Sequence, residues 1–149
     1  MPKNKSDILK QHLDDLNKKD WKAYAEGFTD NVAYEEEATH RKTSGRDAYV
    51  KLVKEWAAAF PDLKAAIKDV VMSGDAAVAE LEWSGTHKGA LSGPMGSIPP
   101  TNKFGKVAAV LVARFDGDKI REAHHYFDLM TLLAQVGAMP QRPGAQPSP

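Results

Sequence analysis

Near the C-terminal end, Glu122-Ala123-His124-His125-Tyr126-Phe127-Asp128 gathers acids, imidazoles and a phenol in one short run. The chemistry such residues can do is proton transfer. Asp128 is the candidate general base. Removing a proton next to a carbonyl needs a carboxylate held close, in a site dry enough to raise its basicity. In an extended strand Glu122, His124 and Tyr126 share the face of Asp128, and His125 points the other way. His124 titrates near neutrality and can shuttle a proton or polarise a carbonyl. Tyr126 can set its hydroxyl on a substrate oxygen. Each has a plainer reading. An Asp just before a helix is a common N-cap, here accepting from the N–H groups near Met130 and Thr131. That role stabilises the anion and lowers its pKa, whereas a desolvated base has a raised one. His124 is otherwise a strand histidine without a task, and Tyr126 a wall residue.

Other candidates are apolar or lie apart in sequence. Trp56 and Trp83 are the expected ligand contacts, with Tyr24, Phe28 and Phe60 as further pocket wall or core. His87 ends the apolar face of its strand and is placed at a pocket mouth or among loop carbonyls. Glu35-Glu36-Glu37 with His40 and Arg41 reads as solvated surface. A metal site is not expected: His124 and His125 point to opposite faces, no His-x-x-x-His pattern exists, and cysteine is absent. The Gly-x-x-Gly stretches lack a strand-to-helix context for a nucleotide, and no serine elbow occurs. No cofactor is expected.

These residues need elements to hold them. Ser6 is a plausible N-cap for a helix carrying Ile8, Leu9, Leu13 and Leu16. Asp20 caps a second, with Trp21, Tyr24 and Phe28 on one face. Residues 31–35 read as a short strand. Ser44-Gly45-Arg46-Asp47 fits a capping box before Tyr49, Leu52, Val53, Trp56, Ala57 and Phe60, and Pro61 stops that helix. The period then changes to two. Leu63, Ala65 and Ile67 alternate with polar or small residues, and Ser73-Gly74-Asp75 is a turn. Ala79, Leu81, Trp83, Gly85 and His87 share a face, with Glu80, Glu82, Ser84 and Thr86 opposite. Residues 88–102 are a Gly/Pro-rich loop suited to a lid. Val107 to Phe115 is nearly all apolar, as in a strand covered on both faces. Asp116-Gly117-Asp118 turns into a last strand, Ile120 to Phe127. Asp128 opens a short helix that Gly137 and Pro140 end.

Helices followed by antiparallel strands make an α+β fold, with helices on one face of a curved sheet. The 149 residues suit one domain, taken as 1–140 with a disordered tail at 141–149. Lys+Arg and Asp+Glu are both 20, so the net charge is zero and no basic stripe invites nucleic acid. The polar N-terminus and the lack of a long apolar run point to a cytoplasmic protein with no membrane partner.

The order Ala59-Phe60-Pro61-Asp62-Leu63, Gly85-Thr86-His87-Lys88-Gly89, Ile98-Pro99-Pro100-Thr101, Gly117-Asp118-Lys119-Ile120-Arg121-Glu122 and Phe127-Asp128-Leu129-Met130, with Leu132 to Gly137, resembles the SnoaL-like polyketide cyclase family. The likeness runs from the first helix to Gly137. It implies the cone-shaped fold of nuclear transport factor 2 and ketosteroid isomerase, with a deep apolar pocket. It also implies a cofactor-independent aldol-type cyclisation, or an isomerisation, of an apolar carbonyl compound, with the acid/base aspartate falling on Asp128. Where typical members carry Trp, this chain has His124. Two other readings stay open: a non-catalytic module that binds a small apolar molecule, and, more remotely, an epoxide hydrolase using Arg114. Pairing through the outer sheet face, as in this fold, implies a homodimer.

Overall fold

The computed structural model describes residues 4–93 and 96–139. Helix α1 (Lys5–Asn17) buries Leu9, Leu13 and Leu16, each contributing about 1.5–3 kcal/mol through apolar burial. Its cap is Asn4 rather than Ser6, because the helix starts two residues earlier than expected: the Asn4 side chain accepts from the Asp7 N–H at 2.8 Å. Asp20 caps α2 (Trp21–Glu26) as expected, accepting from Ala23 at 3.2 Å. Gly27 ends that helix, so Phe28 opens strand β1 (Phe28–Glu36) instead of extending a helical face.

Strand β2 (Arg41–Ser44) leads into α3 (Arg46–Ala59). The expected capping box does not form. Ser44 is held in the sheet opposite Ala33, and Gly45 is the N-cap without any side-chain bond. Its φ of 97° is a conformation glycine adopts freely and other residues rarely do. Strands β3 (Lys64–Ser73) and β4 (Ala76–Thr86) form a hairpin at Gly74. The expected structureless loop contains a small hairpin, β5 (Leu91–Gly93) and β6 (Gly96–Ile98). Then come β7 (Phe104–Asp116), β8 (Lys119–Phe127) and α4 (Leu129–Gln135), with Gly137 at a φ of 71° after it. Pro140 and the expected tail at 141–149 lie outside the described residues.

Six strands form one sheet in the order β2-β1-β8-β7-β4-β3. It is mixed rather than purely antiparallel, because the chain returns as β8 alongside β1 in parallel. The curved sheet carries α1, α2 and α3 against its inner face, and α4 packs on β7. Along β7, Val107, Ala109, Leu111, Ala113 and Phe115 are buried. The opposite face is not covered within the chain: Ala108 and Arg114 are exposed and Val110 and Val112 half-buried. No helix among the described residues is long and apolar enough to cross a membrane.

One irregularity decides which side chains of β8 point inward. Phe115 sits opposite Ile120 but Arg114 sits opposite Glu122, so Arg121 is an extra residue in the strand. Such a bulge shifts the phase of alternation. Ile120 and then Ala123 and His125 are buried, while Glu122, His124 and Tyr126 turn outward.

The edge strand β3 is tied to α1 by Asn17. Its amide donates to the Ala65 carbonyl at 2.9 Å and accepts from the Ala65 N–H at 2.7 Å, as a neighbouring strand would. Asn17→Ala is expected to lower the unfolding free energy by about 1–3 kcal/mol, since it orphans both backbone groups. Urea unfolding measures this, and an unchanged midpoint would show that the bond pair contributes nothing.

Candidate active site

Between the helices and the sheet lies a cavity that opens to the surface. Its walls are mainly apolar and aromatic, and its polar end carries Glu36 and His125. Glu36 is the key to that end. Val32, Tyr34 and Glu36 alternate inward along β1, which leaves Glu36 only 1% exposed. A carboxylate so placed requires donors on both oxygens. Trp56 Nε1–H of α3 and Tyr34 Oη–H each reach Oε2 at 2.9 Å. Thr39 Oγ1–H reaches Oε1 at 2.6 Å and Arg41 Nη2–H the same oxygen at 2.9 Å. Arg41 also bonds Glu55 at 3.2 Å and lies 5.6 Å over the Trp56 ring.

His125 sits opposite Glu36 in the β1–β8 register. Trp83 Nε1 lies 2.9 Å from His125 Nε2, and an indole nitrogen can only donate. Nε2 is therefore the unprotonated nitrogen, and Nδ1 carries the hydrogen. That hydrogen points to Tyr34 Oη at 3.0 Å, and the Tyr34 hydrogen goes on to Glu36. One directed chain thus runs from Trp83 through His125 and Tyr34 to Glu36. Burial pushes the His125 pKa down to about 4, against a smaller opposing pull from Glu36. The imidazole is neutral at pH 7.

Of the residues expected from sequence, Tyr24, Trp56, Phe60 and Trp83 line the cavity. Phe28 does not. It is fully buried behind Tyr49, stacked at 4.3 Å. His87 is also fully buried outside the cavity, stacked on Phe60, with Nδ1 at 3.2 Å from Thr101 Oγ1. It pins the root of the 88–102 segment, where its N–H and carbonyl pair with Lys103 and Asn102. Among the described residues, none of 88–102 lines the cavity.

The expected catalytic trio lies elsewhere. Asp128 is the N-cap of α4, accepting from the Thr131 hydroxyl and, at 3.0 Å, from its N–H. Those bonds hold its carboxyl below the usual range, the signature of a cap. The β8 bulge turns His124 outward, where Nε2 meets Glu122 at 2.7 Å and Nδ1 meets Glu35 at 3.4 Å. Tyr126 is 46% exposed on the same outer face. Arg114 is outside as well, 3.7 Å from Asp75 and away from the cavity. Glu35, Glu37 and His124 bring ligand atoms within 4.8 Å of one another, a grouping that exposed acids commonly form without an ion. The residues that sequence reasoning passed over are Glu36, His125 and Tyr34. The signal was there in part: Val32, Tyr34 and Glu36 keep a period of two.

Helices wrapped in a bent sheet around an apolar pocket make up the ketosteroid isomerase-like fold. The model of the SnoaL-like polyketide cyclase family matches residues 6–136, and the chain belongs to that family. Among solved structures, IdmH, a proposed polyketide cyclase from Streptomyces antibioticus, is 22% identical with a TM-score of 0.78, over 91% of this chain and 99% of its own. AclR, a proposed hydroxylase from Streptomyces galilaeus, is 22% identical with a TM-score of 0.77, over 93% of this chain and 84% of its own. A protein with a ketosteroid isomerase-like fold from Catenulispora acidiphila, in complex with trimethylamine, is 19% identical with a TM-score of 0.76, over 90% of this chain and 95% of its own. These likenesses carry the fold, and their assigned activities differ. No curated protein sequence matches.

A second buried histidine joins His125 in setting pH dependence. His12 of α1 is stacked on Tyr24 at 4.3 Å, and burial pushes its pKa to about 3. Both lie below the ordinary value of 6.5, so the unfolded chain takes up protons that the folded state refuses. Their contribution is fully present above pH 6.5 and is lost as pH falls toward 4, by about 1.4 kcal/mol per pH unit for each histidine. Unfolding free energies measured between pH 7 and pH 5 should therefore drop, and His12→Phe should reduce the slope. A flat profile in the wild type would mean that neither imidazole is held neutral.

Proposed function

We propose that this protein is a cofactor-independent acid/base enzyme on a small apolar carbonyl compound, with His125 as the base. The observation that carries this reading is the neutral imidazole in the cavity, its Nε2 lone pair unprotonated and its Nδ1–H linked through Tyr34 to a buried carboxylate. The reaction begins when Nε2 takes a proton from the carbon next to the carbonyl. The C–H electron pair becomes the C=C bond, and the carbonyl π pair moves to oxygen, giving an enolate. The imidazolium that results is paired with Glu36 across the Tyr34 hydroxyl. Return of the proton to another carbon isomerises the substrate. Attack of the enolate carbon on a second carbonyl forms a C–C bond and closes a ring, the resulting alkoxide taking the proton back from Nε2. Family membership supports a cyclase or isomerase class. The aromatic walls favour an apolar body, and the Arg41–Glu36 pair leaves the polar end with no net charge to repel one.

A conjugate-acid pKa near 4 makes a modest base. Modest carboxylate bases remove such protons where the enolate oxygen is well stabilised, so this is a demand on the site rather than an objection. Hydrogen–deuterium exchange at the α-carbon of 2-tetralone, followed by proton NMR, discriminates the two candidate bases. His125→Gln should lower the exchange rate by about 10²–10⁴-fold while the ketone still raises the melting temperature. Asp128→Asn should keep the exchange rate within a few-fold of wild type. The reverse result would return the role to Asp128. Ketone binding without exchange in the wild type would leave a binding module.

The same reading includes a homodimer through the outer sheet face. There Val110 and Val112 of β7 are half-buried, and Tyr126, paired with Val110, is exposed. Sedimentation equilibrium at micromolar concentration should give about twice the monomer mass, and Tyr126→Glu should shift it toward the monomer. A monomer in the wild type would remove this assignment.

A further inference from the structure

The proposed base raises a question about oxygen: which group stabilises the enolate? Three donors at the polar end are already engaged. The hydrogens of Trp56 Nε1, Tyr34 Oη and Thr39 Oγ1 are all spent on Glu36. A carboxylate buried at 1% exposure cannot release them without losing the partners that hold it there. Trp83 Nε1–H differs from the others because its acceptor is His125 Nε2 itself.

That difference couples the two steps. While Nε2 is unprotonated, it accepts from the indole at 2.9 Å. Nε2 has one lone pair, so the α-C–H can reach it only as the indole N–H turns away, and once protonated Nε2 can no longer accept from the indole. The indole hydrogen then needs an acceptor at the moment the substrate oxygen becomes negative. The carbonyl oxygen and the α-carbon of a substrate are separated by only two bonds, so a substrate with its α-carbon at Nε2 brings its oxygen beside the indole. Both residues line the cavity and reach this point from opposite sides of β7, His125 from β8 and Trp83 from β4. Resting on the assignment of His125 as base, we infer that Trp83 is a catalytic residue: its indole N–H caps the base at rest and passes to the enolate oxygen as the base is protonated.

The inference also limits the substrate. The group that enters must carry an oxygen acceptor adjacent to an acidic C–H, as ketones and esters do, and an apolar molecule without that oxygen can fill the cavity but cannot engage the indole.

Trp83→Phe tests the role, because the two readings predict opposite changes. If Trp83 is only a cap, its removal uncovers the Nε2 lone pair, and exchange of 2-tetralone stays equal or becomes faster. If it is the enolate donor, kcat for exchange falls by about 10²-fold, with KM changed only a few-fold, since the bond is made in the transition state. Circular dichroism and the melting temperature of the variant check its fold. Should the variant not fold, a crystal structure of the wild type with 2-naphthol, a planar enol mimic, decides. The naphthol oxygen is expected within roughly 3.2 Å of Trp83 Nε1, and a distance beyond hydrogen-bond reach overturns the assignment. Exchange that is normal in wild type and unchanged or faster in Trp83→Phe overturns Trp83 alone. Absence of exchange in the wild type overturns the His125 reading, and this one with it.

Discussion

A carboxylate inside an aromatic core has to be compensated on every side, and the placement of Glu36 imposes that demand on the rest of the molecule. Leaving water costs an ionised group several kcal/mol even after relaxation. The compensation is drawn from several parts of the chain: Tyr34 from β1, Thr39 from the β1–β2 turn, Arg41 from β2 and Trp56 from α3. Each bond fixes the element that supplies it. Tyr34 extends the set to His125 on β8, and His125 to Trp83 on β4. A single charge thereby orients side chains from four strands and one helix around one end of the cavity.

The same bonds explain why the cavity stays open. Cores normally close around voids, since empty space forfeits dispersion contacts. Here the large rings cannot fall inward, because the indoles are held by their N–H groups and Tyr34 by both neighbours. Behind them an aromatic column gives a stiff backing: Tyr34 stacks on Tyr49 at 4.0 Å, and Tyr49 on Phe28 at 4.3 Å. Phe28 therefore shapes the cavity from a distance without touching its space. At the other end Phe60, Leu132 and Val107 close the wall as part of a separate apolar cluster.

Much of this was legible in the sequence, and the misses have specific causes. Periodicity found α1, α3, β4, β7 and β8, and the caps at Asp20 and Asp128 and the turns at Gly74 and Gly117 lie where turn and cap chemistry put them. The aromatic wall residues Tyr24, Trp56, Phe60 and Trp83 were also legible, because large apolar side chains on inward faces are what a hollow core is built from. The parity of β8 was not. A bulge at Arg121 adds one residue, and no local residue preference announces it. It exchanges the roles of His124 and His125, and with them the acid/base candidate. Glu36 was hidden differently. Three successive glutamates look like a solvated run, yet alternation sends the middle one inward and leaves Glu35 and Glu37 outside. Only the long-range partner Trp56, with Thr39 and Arg41, makes that burial tolerable, and such partners do not appear in a local pattern.

The charge arrangement also says why a neutral base suits this pocket. At rest Arg41 and Glu36 cancel, and His125 carries no charge, so the proposed apolar carbonyl substrate would meet no uncompensated ion there. In the proposed proton transfer two charges would appear together, an imidazolium and an enolate. The imidazolium faces Glu36 through the Tyr34 hydroxyl, in a site with little water to screen the attraction. On the Nδ1 side the Tyr34 hydroxyl and Glu36 already point the right way to receive that charge, so little reorganisation is needed there. An aspartate in the position of His125 would instead bring a second carboxylate to within one hydroxyl of Glu36, and like charges that close resist joint ionisation. A histidine is the residue that lets a buried glutamate and a basic site share one polar cluster.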